Sequence, residues 1–275
     1  MSGALYIIAS PIGNLEDITL RAVRLLREST LVACEDTRQT RKLLDHFGIE
    51  APMVSYHEYN EAARAAELIG KLEGGAHIAL VSDAGTPLVS DPGYRLVRAA
   101  IAAGIKVVPV PGPSASLAAL AGSGLATDSF RFCGFLPAKS TQRRKVLEQL
   151  RHETCTLIFY EAPHRVLDAL EDMGAVLGPR PVVVARELTK LHEEFLRGTA
   201  AEVRSELASR PAIRGEFTLL LGKGDEVESD DTPIEDAVRA LEGQGLARMD
   251  AIKQVARARG MSKREVYEFM TRAPK

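Results

Sequence analysis

Ser82-Asp83-Ala84-Gly85-Thr86-Pro87-Leu88-Val89-Ser90-Asp91-Pro92-Gly93 decides how the rest of the chain is read. The apolar run His77 to Val81 precedes it and a helical pattern, Tyr94 to Ala103, follows it. A buried strand therefore leads through a loop into a helix. Twelve residues is long for such a connection, which usually takes about two to six. Gly85 and Gly93 admit positive φ or a close backbone approach, while Pro87 and Pro92 fix φ and withdraw donors. Asp83, Thr86, Ser90 and Asp91 bring oxygens to the carboxyl end of the strand, where open α/β sheets place their ligands. The glycines do not fall at dinucleotide spacing, and the chain carries no phosphate-binding loop. The loop thus suits a small ligand that is not held through phosphates. The plain alternative is an ordinary βα connection made of turn residues.

Upstream, Ala4 to Ala9 reads as a first buried strand, ending in the Gly/Pro/Asn loop Ser10 to Asp17. Asp17 is a plausible N-cap for a helix from Ile18 to Glu28, with Ile18, Ala22, Leu25 and Leu26 on one face. Leu31 to Cys34 is a short strand ending in Glu35-Asp36-Thr37-Arg38, and the helix after it stops at Gly48. Met53 to Tyr56 is a third strand, followed by an Ala/Glu-rich helix to Leu72. Downstream, Ile105 to Val110 is a fifth strand, and Pro111-Gly112-Pro113-Ser114-Ala115 opens a small-residue helix ending near Gly122. Strands alternating with helices argue a parallel, doubly wound sheet. Its polar turns should open together on one edge.

Gly122 to Thr127 is a small-residue connector, so a first α/β domain is expected over 1–122 and a second over 123–224. The second half predicts strands at Phe130–Phe135, Thr156–Tyr160, Pro181–Arg186, Glu194–Leu196 and Phe217–Leu221. Helices fall at 140–151, after Arg165 to Leu177, and at 200–209. The tighter spacing there implies a mixed sheet with an antiparallel part. Asp225 to Asp231 reads as an acidic linker, and 232–275 as a small helical carboxyl-terminal unit.

At 275 residues, with 45% hydrophobic and 26% charged residues, the composition is that of an ordinary globular protein. A net charge of −2 argues mildly against indiscriminate nucleic-acid binding and leaves room for a local basic face. Cys34, Cys133 and Cys155 are isolated and odd in number, which disfavours a disulfide framework or a cysteine metal site and suits a reducing cytoplasm. No basic and apolar leader opens the chain, and no apolar run approaches membrane-spanning length. Neither a signal peptide nor a membrane contact is expected.

Seven ordered motifs then carry a resemblance. They are Pro-Ile-Gly-Asn-Leu-Glu-Asp-Ile-Thr (11–19), Glu-Asp-Thr-Arg (35–38), the 82–93 loop, Pro-Gly-Pro-Ser-Ala (111–115), Gly-Phe-Leu-Pro (134–137), Tyr-Glu-Ala-Pro-His-Arg (160–165) and Arg-Gly-Glu-Phe-Thr (214–218). In this order they resemble the ribosomal small-subunit RNA (cytidine-2′-O)-methyltransferase I family of the tetrapyrrole-methylase superfamily, over nearly the whole chain. The resemblance implies two αβα domains of class III methyltransferase type with S-adenosyl-L-methionine in the cleft between them. It further implies a cytoplasmic homodimer that methylates a cytidine ribose 2′-oxygen in the decoding region of 16S rRNA, in the small ribosomal subunit. Carried onto this sequence, donor contacts fall at Pro11, Asp83, Ala84, Gly85, Val89, Ser90, Ser114 and Ala115, and at the Tyr160–Glu161 turn.

A ribose hydroxyl is a weak nucleophile at neutral pH, so a base or charge stabiliser beside it helps. Glu35, Asp36, Arg38, Glu161, His164 and Arg165 are the candidates, because each follows a strand. Glu161 or Glu35 would accept or polarise the hydroxyl proton, and the arginines would hold phosphates or the reacting nucleotide. Helix capping explains Glu35 to Arg38 equally simply, a first helical turn explains His164 and Arg165, and His57 and His77 read as structural. For RNA, Lys139, Arg143, Arg144, Lys145 and Arg151 form a basic helix. In the tail, Arg248, Lys253, Arg257, Arg259, Lys263 and Arg264 surround a helix–turn–helix-like pattern with Gly260 at its turn. A solvated charged face is the plain alternative there. No metal-ligand spacing occurs. A tetrapyrrole methyltransferase of the same fold, and a non-catalytic RNA-binding assembly module, remain the competing functions.

Overall fold

The computed structural model describes residues 3–224, 232–259 and 261–271. The first half places β1 (Ala4–Ile8), β2 (Leu31–Cys34), β3 (Met53–Ser55), β4 (His77–Val81) and β5 (Lys106–Val110) in one sheet of order β3-β2-β4-β1-β5. Every pairing in it is parallel. Parallel strands covered on both faces read as unbroken apolar runs, and these do. Alternation divides them between two cores. Leu5, Ile7, Ile78 and Leu80 pack under α3 (Glu61–Glu73) and α4 (Tyr94–Ala102), while Ile8, Ala79 and Val81 pack under α1 (Leu20–Glu28) and α2 (Thr37–His46).

The first helix starts later than the sequence suggests. Asn14 caps a short 3-10 turn, Leu15–Asp17, and Ile18 then runs extended. The Thr19 hydroxyl, not Asp17, accepts the Ala22 N–H at 3.1 Å and begins α1. Asp17 fails as a cap because it is already inside the preceding turn.

The second sheet contains β6 (Phe130–Phe135), β7 (Thr156–Glu161), β8 (Val182–Arg186), β9 (Glu194–Gly198) and β10 (Phe217–Leu221), in the order β6-β7-β10-β8-β9. Only β6 and β7 run parallel in it; the other pairs are antiparallel. One face lies under α6 (Ser140–Gln149), α7 (Val166–Leu177) and α8 (Ala200–Ala208). The other face, through Ile158, Val183, Ala185 and Leu220, packs on Ala119 and Leu120 of α5 (Ala115–Ser123) and on Ile12. Because α5 and Ile12 come from the first half, the two sheets fold as one compact unit ending at Gly224.

The remaining helices, α9 (Ile234–Gly243), α10 (Arg248–Ala258) and α11 (Lys263–Thr271), form a separate unit around Val238, Ile252, Val255 and Val266. Lys253 pairs with Asp250 at 2.8 Å and Arg264 with Glu268 at 2.9 Å, so acids within the unit already balance much of its basic face. The expected acidic linker 225–231, the turn at Gly260 and the side chain of Arg257 lie outside the described residues.

The expected basic helix 140–151 is corrected at one position. Arg143 is buried at 2% exposure. Its guanidinium pairs with Asp172 of α7 at 2.7 Å and also donates to the Ala138 carbonyl at 3.1 Å. Arg144 and Ser140 complete the ring around the same carboxylate. An arginine reads as surface charge from the sequence, but a buried carboxylate one helix away draws it inward. Arg151 pairs with Glu148, and Lys139 and Lys145 stay exposed. Replacing Asp172 with Ala leaves the buried Arg143 uncompensated and should cost about 3–5 kcal/mol of unfolding free energy by denaturant titration. Truncating the half-exposed Arg144 should cost under about 1 kcal/mol.

Candidate functional site

The loops at the carboxyl ends of β1, β2, β4 and β5 meet loops of the second sheet around one cavity of about 490 Å³. From the first sheet it is lined by Ile12, Glu35, much of the 83–91 segment, Ser114 and Ala115; from the second by Phe135, the Tyr160–Pro163 turn, Leu188 and residues 215–218.

The 82–93 loop is held at three places. Ser10 and Gly85 exchange backbone hydrogen bonds, with Ser10 N–H donating at 2.8 Å and Gly85 N–H at 3.0 Å. Gly85 sits at φ +79°, a left-handed conformation that glycine adopts without a Cβ clash. The Ser10 hydroxyl also donates to the Ser82 carbonyl at 2.9 Å, and Thr86 Oγ1 donates to the Pro113 carbonyl at 3.3 Å. At the far end, Glu61 Oε1 accepts the Tyr56 hydroxyl at 3.0 Å, the Gly93 N–H at 3.2 Å and the Arg95 N–H at 3.3 Å. Between these anchors Leu88 and Ser90 take positive φ, 75° and 67°. Such strain, of order 1–3 kcal/mol per residue, persists only where surrounding contacts impose it.

Carboxylates crowd the cavity, and among the described residues no lysine or arginine lines it. Burial pushes the Asp91 carboxyl up to about 6, and Asp83 adds repulsion against the lowering effect of the Ser82 hydroxyl. Burial likewise raises Glu35, with Asp83, Asp91 and Asp36 adding to it. Asp83 is raised mainly by burial, although its Oδ1 accepts the Asp36 N–H at 3.0 Å. An arrangement of this kind favours a bound positive charge.

Glu161 is buried at 3% exposure, at the end of β7. Its Oε1 pairs with Arg165 Nη2 at 2.7 Å and accepts the Ala162 N–H at 2.9 Å. Its Oε2 has no hydrogen-bond partner, and neither does Arg165 Nε. A buried carboxylate oxygen without a donor is costly in a resting protein.

The cavity thus gathers Glu35, Asp83, Ala84, Gly85, Val89, Ser90, Ser114, Ala115, Tyr160 and Glu161. Pro11, Asp36, Arg38 and Arg165 are not among its lining residues. Ile12, the next residue after Pro11, lines the wall. Asp36 is the N-cap of α2, and its side chain is engaged by Arg38, which holds its carboxyl down at about 2. That leaves Arg38 exposed on the outside, its Nη2 2.7 Å from Asp36 Oδ2. Arg165 is paired with Glu161, and His164 is exposed. His77 stacks on Tyr6 and His57 contacts Asn60, both away from the cavity. Leu188 and Glu61 escaped the sequence reading: an apolar residue beyond a strand and an acid opening a helix carry no local signal of a site. No group of three metal-ligating side chains occurs among the described residues. No described helix is long and apolar enough to cross a membrane.

Residues 4–204 match the family profile of the Tetrapyrrole (Corrin/Porphyrin) Methylases. The chain is 50% identical over 274 residues to a Ribosomal RNA small subunit methyltransferase I of Halalkalibacterium halodurans, covering 97% of this chain and 94% of that one. It is 47% identical over 272 residues to the protein of the same name from Micromonospora olivasterospora, covering 97% and 86%. Its fold is similar to that of uroporphyrin-III C-methyl transferase from Thermus thermophilus complexed with S-adenyl homocysteine. That match has a TM-score of 0.56 at 20% identity, covering 82% of this chain and 99% of the other.

Asp91 supplies a pH test. Its folded value of about 6 lies above the ordinary 3.8, so the folded state holds this proton more tightly than the unfolded one. The stability it contributes is complete below the unfolded value and is lost as pH rises through about 6. The stability of the wild type relative to Asp91→Asn should therefore fall by on the order of 1–3 kcal/mol between pH 4 and pH 7, read from denaturant midpoints.

Proposed function

As a member of the tetrapyrrole (corrin/porphyrin) methylase family, close to its small-subunit ribosomal RNA methyltransferases, the chain is a ribosomal RNA methyltransferase, and we propose that it methylates the ribose 2′-oxygen of a cytidine in the decoding region of 16S rRNA. The methyl donor is S-adenosylmethionine. The observation that carries the chemical reading is the acid-rich cavity at the strand ends, which among the described residues no lysine or arginine lines.

The donor fits this site. It bears a sulfonium and an α-amino group and no phosphate, matching carboxylates and the absence of a phosphate loop. Asp83, Ala84, Gly85, Val89, Ser90, Ser114, Ala115 and Tyr160 would hold it, with Ile12, the residue after Pro11, on the wall. When bound, it supplies an electrophilic methyl group and leaves as a neutral thioether. The protein aligns the ribose oxygen for in-line attack, and positioning alone can lower the barrier by up to about 7–11 kcal/mol. Glu161 Oε2 accepts the hydrogen bond of the 2′-hydroxyl and takes its proton as the oxygen–carbon bond forms. Arg165 and the Ala162 N–H hold the opposite oxygen and so fix the direction in which Oε2 is offered. Glu35 is the second acid on the cavity wall, and burial with three neighbouring acids raises its carboxyl. Lys139 and Lys145 offer phosphate contacts near the second sheet, whereas Arg143 is withdrawn from that role by Asp172. We place the enzyme in the cytoplasm as a homodimer acting on the small subunit.

Ribose-methylation mapping of small-subunit RNA by mass spectrometry, with and without the protein, should show one cytidine whose modification depends on it. Transfer to a tetrapyrrole precursor instead, or no saturable binding of S-adenosylmethionine in calorimetry, would support the competing functions. Glu161→Gln should lower kcat by about 10²–10⁴-fold with donor affinity nearly unchanged. A loss of affinity at constant kcat would reassign Glu161 to donor binding. Asp83→Ala should weaken donor binding in calorimetry without abolishing folding.

A further inference from the structure

The edge strand β6 carries an irregularity that serves no purpose in the sheet itself. Phe130, Arg131 and Phe132 pair in step with Thr156, Leu157 and Ile158 of β7, but Phe135 pairs with Tyr160. Cys133 and Gly134 thus stand opposite the single residue Phe159, which is a β-bulge. Side chains alternate along a strand, so an unbroken β6 would put residues 132 and 134 on one face and Phe135 on the other. The bulge returns Phe135 to the face of Phe132, Ile158 and Tyr160, the face turned toward α5 and Ile12. Gly134 makes this possible with φ +66°, and a Cβ built there would lie 3.7 Å from Ser90 Oγ in the loop of the first sheet. The bulge therefore sits where the two halves face each other across the cavity.

Its product is an aromatic ring in an unusual position. Phe135 lines the cavity and yet is 54% exposed. Tyr160 holds it edge to face at 5.7 Å and 64°, and is itself braced by Phe132 at 4.9 Å. A braced ring with solvent on its open side, bordering a cavity that handles a ribose, matches how single-stranded RNA is read: an unstacked base lies on an aromatic face. Enzymes that modify one nucleotide must first take it out of its stack, and such a surface offsets part of that cost.

We propose that Phe135 is the platform on which the base of the target nucleotide stacks, a subsite created by the bulge at Cys133–Gly134. The proposal rests on the ribosomal RNA reading above. It assigns to β6 the recognition of the base, separate from the residues that hold the donor and from Glu161.

The test uses the full-length enzyme with purified small ribosomal subunits lacking the modification, and calorimetry with S-adenosylmethionine alone. Phe135→Ala and Phe135→Leu should raise the KM for subunits by about 5- to 150-fold, while donor affinity stays within about twofold of wild type. Phe135→Trp and Phe135→Tyr should restore the wild-type KM, which a merely structural apolar contact would not require, since Leu would then suffice. A KM unchanged in the Ala and Leu variants overturns the proposal, as does a parallel loss of donor affinity, which would place the ring against the donor. If the wild type itself transfers no methyl group to these subunits, the RNA reading falls and this subsite with it; an active wild type beside indifferent Phe135 variants removes the subsite alone.

Discussion

The reciprocal backbone pair between Ser10 and Gly85 is the constraint on which the site depends. β1 and β4 are neighbours in the sheet, and beyond their ends this isolated antiparallel pair ties together the two loops that follow them. Each such bond is worth only about 0.5–1.5 kcal/mol net. Their effect is geometric: they tie the first third of a long loop to the loop after β1. With the far end fixed by Glu61, the intervening residues have little room left, and Leu88 and Ser90 accept left-handed conformations. A loop anchored in this way presents Asp83, Ser90 and Asp91 in one arrangement rather than many, which is the preorganisation a binding site needs.

The electrostatics follow from the same crowding. The loops after β2 and β4, the end of β7 and the loop before β10 deliver acids to one volume, and no basic side chain enters it among the described residues. Burial and neighbouring acids raise Glu35, Asp83 and Asp91 together, so a bound cation would relieve their crowding. The arginines nearby are committed elsewhere. Arg38 is bound to Asp36 on the outside, and Arg165 to one oxygen of Glu161. The second commitment is the consequential one, because it leaves the other oxygen of Glu161 buried and unpartnered. At Asp172, by contrast, Arg143, Arg144 and Ser140 together satisfy both carboxylate oxygens, and that cluster holds α6 to α7 without chemistry.

The two halves of the molecule supply different parts of the site by different means. In the parallel sheet all strands point the same way, so the loops after β1, β2, β4 and β5 converge as a matter of topology. In the mixed sheet most neighbouring strands run in opposite directions, and the Tyr160 turn, Leu188 after β8, the loop before β10 and the bulged end of β6 reach the cavity. α5 and Ile12 bridge the two by packing on the second sheet, so one hydrophobic cluster draws on both halves while the others stay within one.

Much of this was legible in the residues. Apolar runs bounded by glycine and proline located every strand, because burial on two faces leaves an uninterrupted pattern. The 82–93 loop stood out because it is long for a βα connection, and much of it lines the cavity. Local sequence could not distinguish Thr19 from Asp17 as the first helix cap, since both residues cap well and only the 3-10 turn between Asn14 and Ile18 decides. Nor could it separate Pro11 from Ile12, or an exposed arginine from Arg143, whose burial depends on an aspartate 29 residues away. The sequence by itself determined the elements, the parallel order implied by their alternation, and the strand ends where polar side chains gather, because those depend on periodicity and turn chemistry. Only the tertiary structure decided which side chains face the common cavity, which acid keeps a free oxygen, and which aromatic a bulge turns inward, because each depends on contacts between residues far apart in the chain.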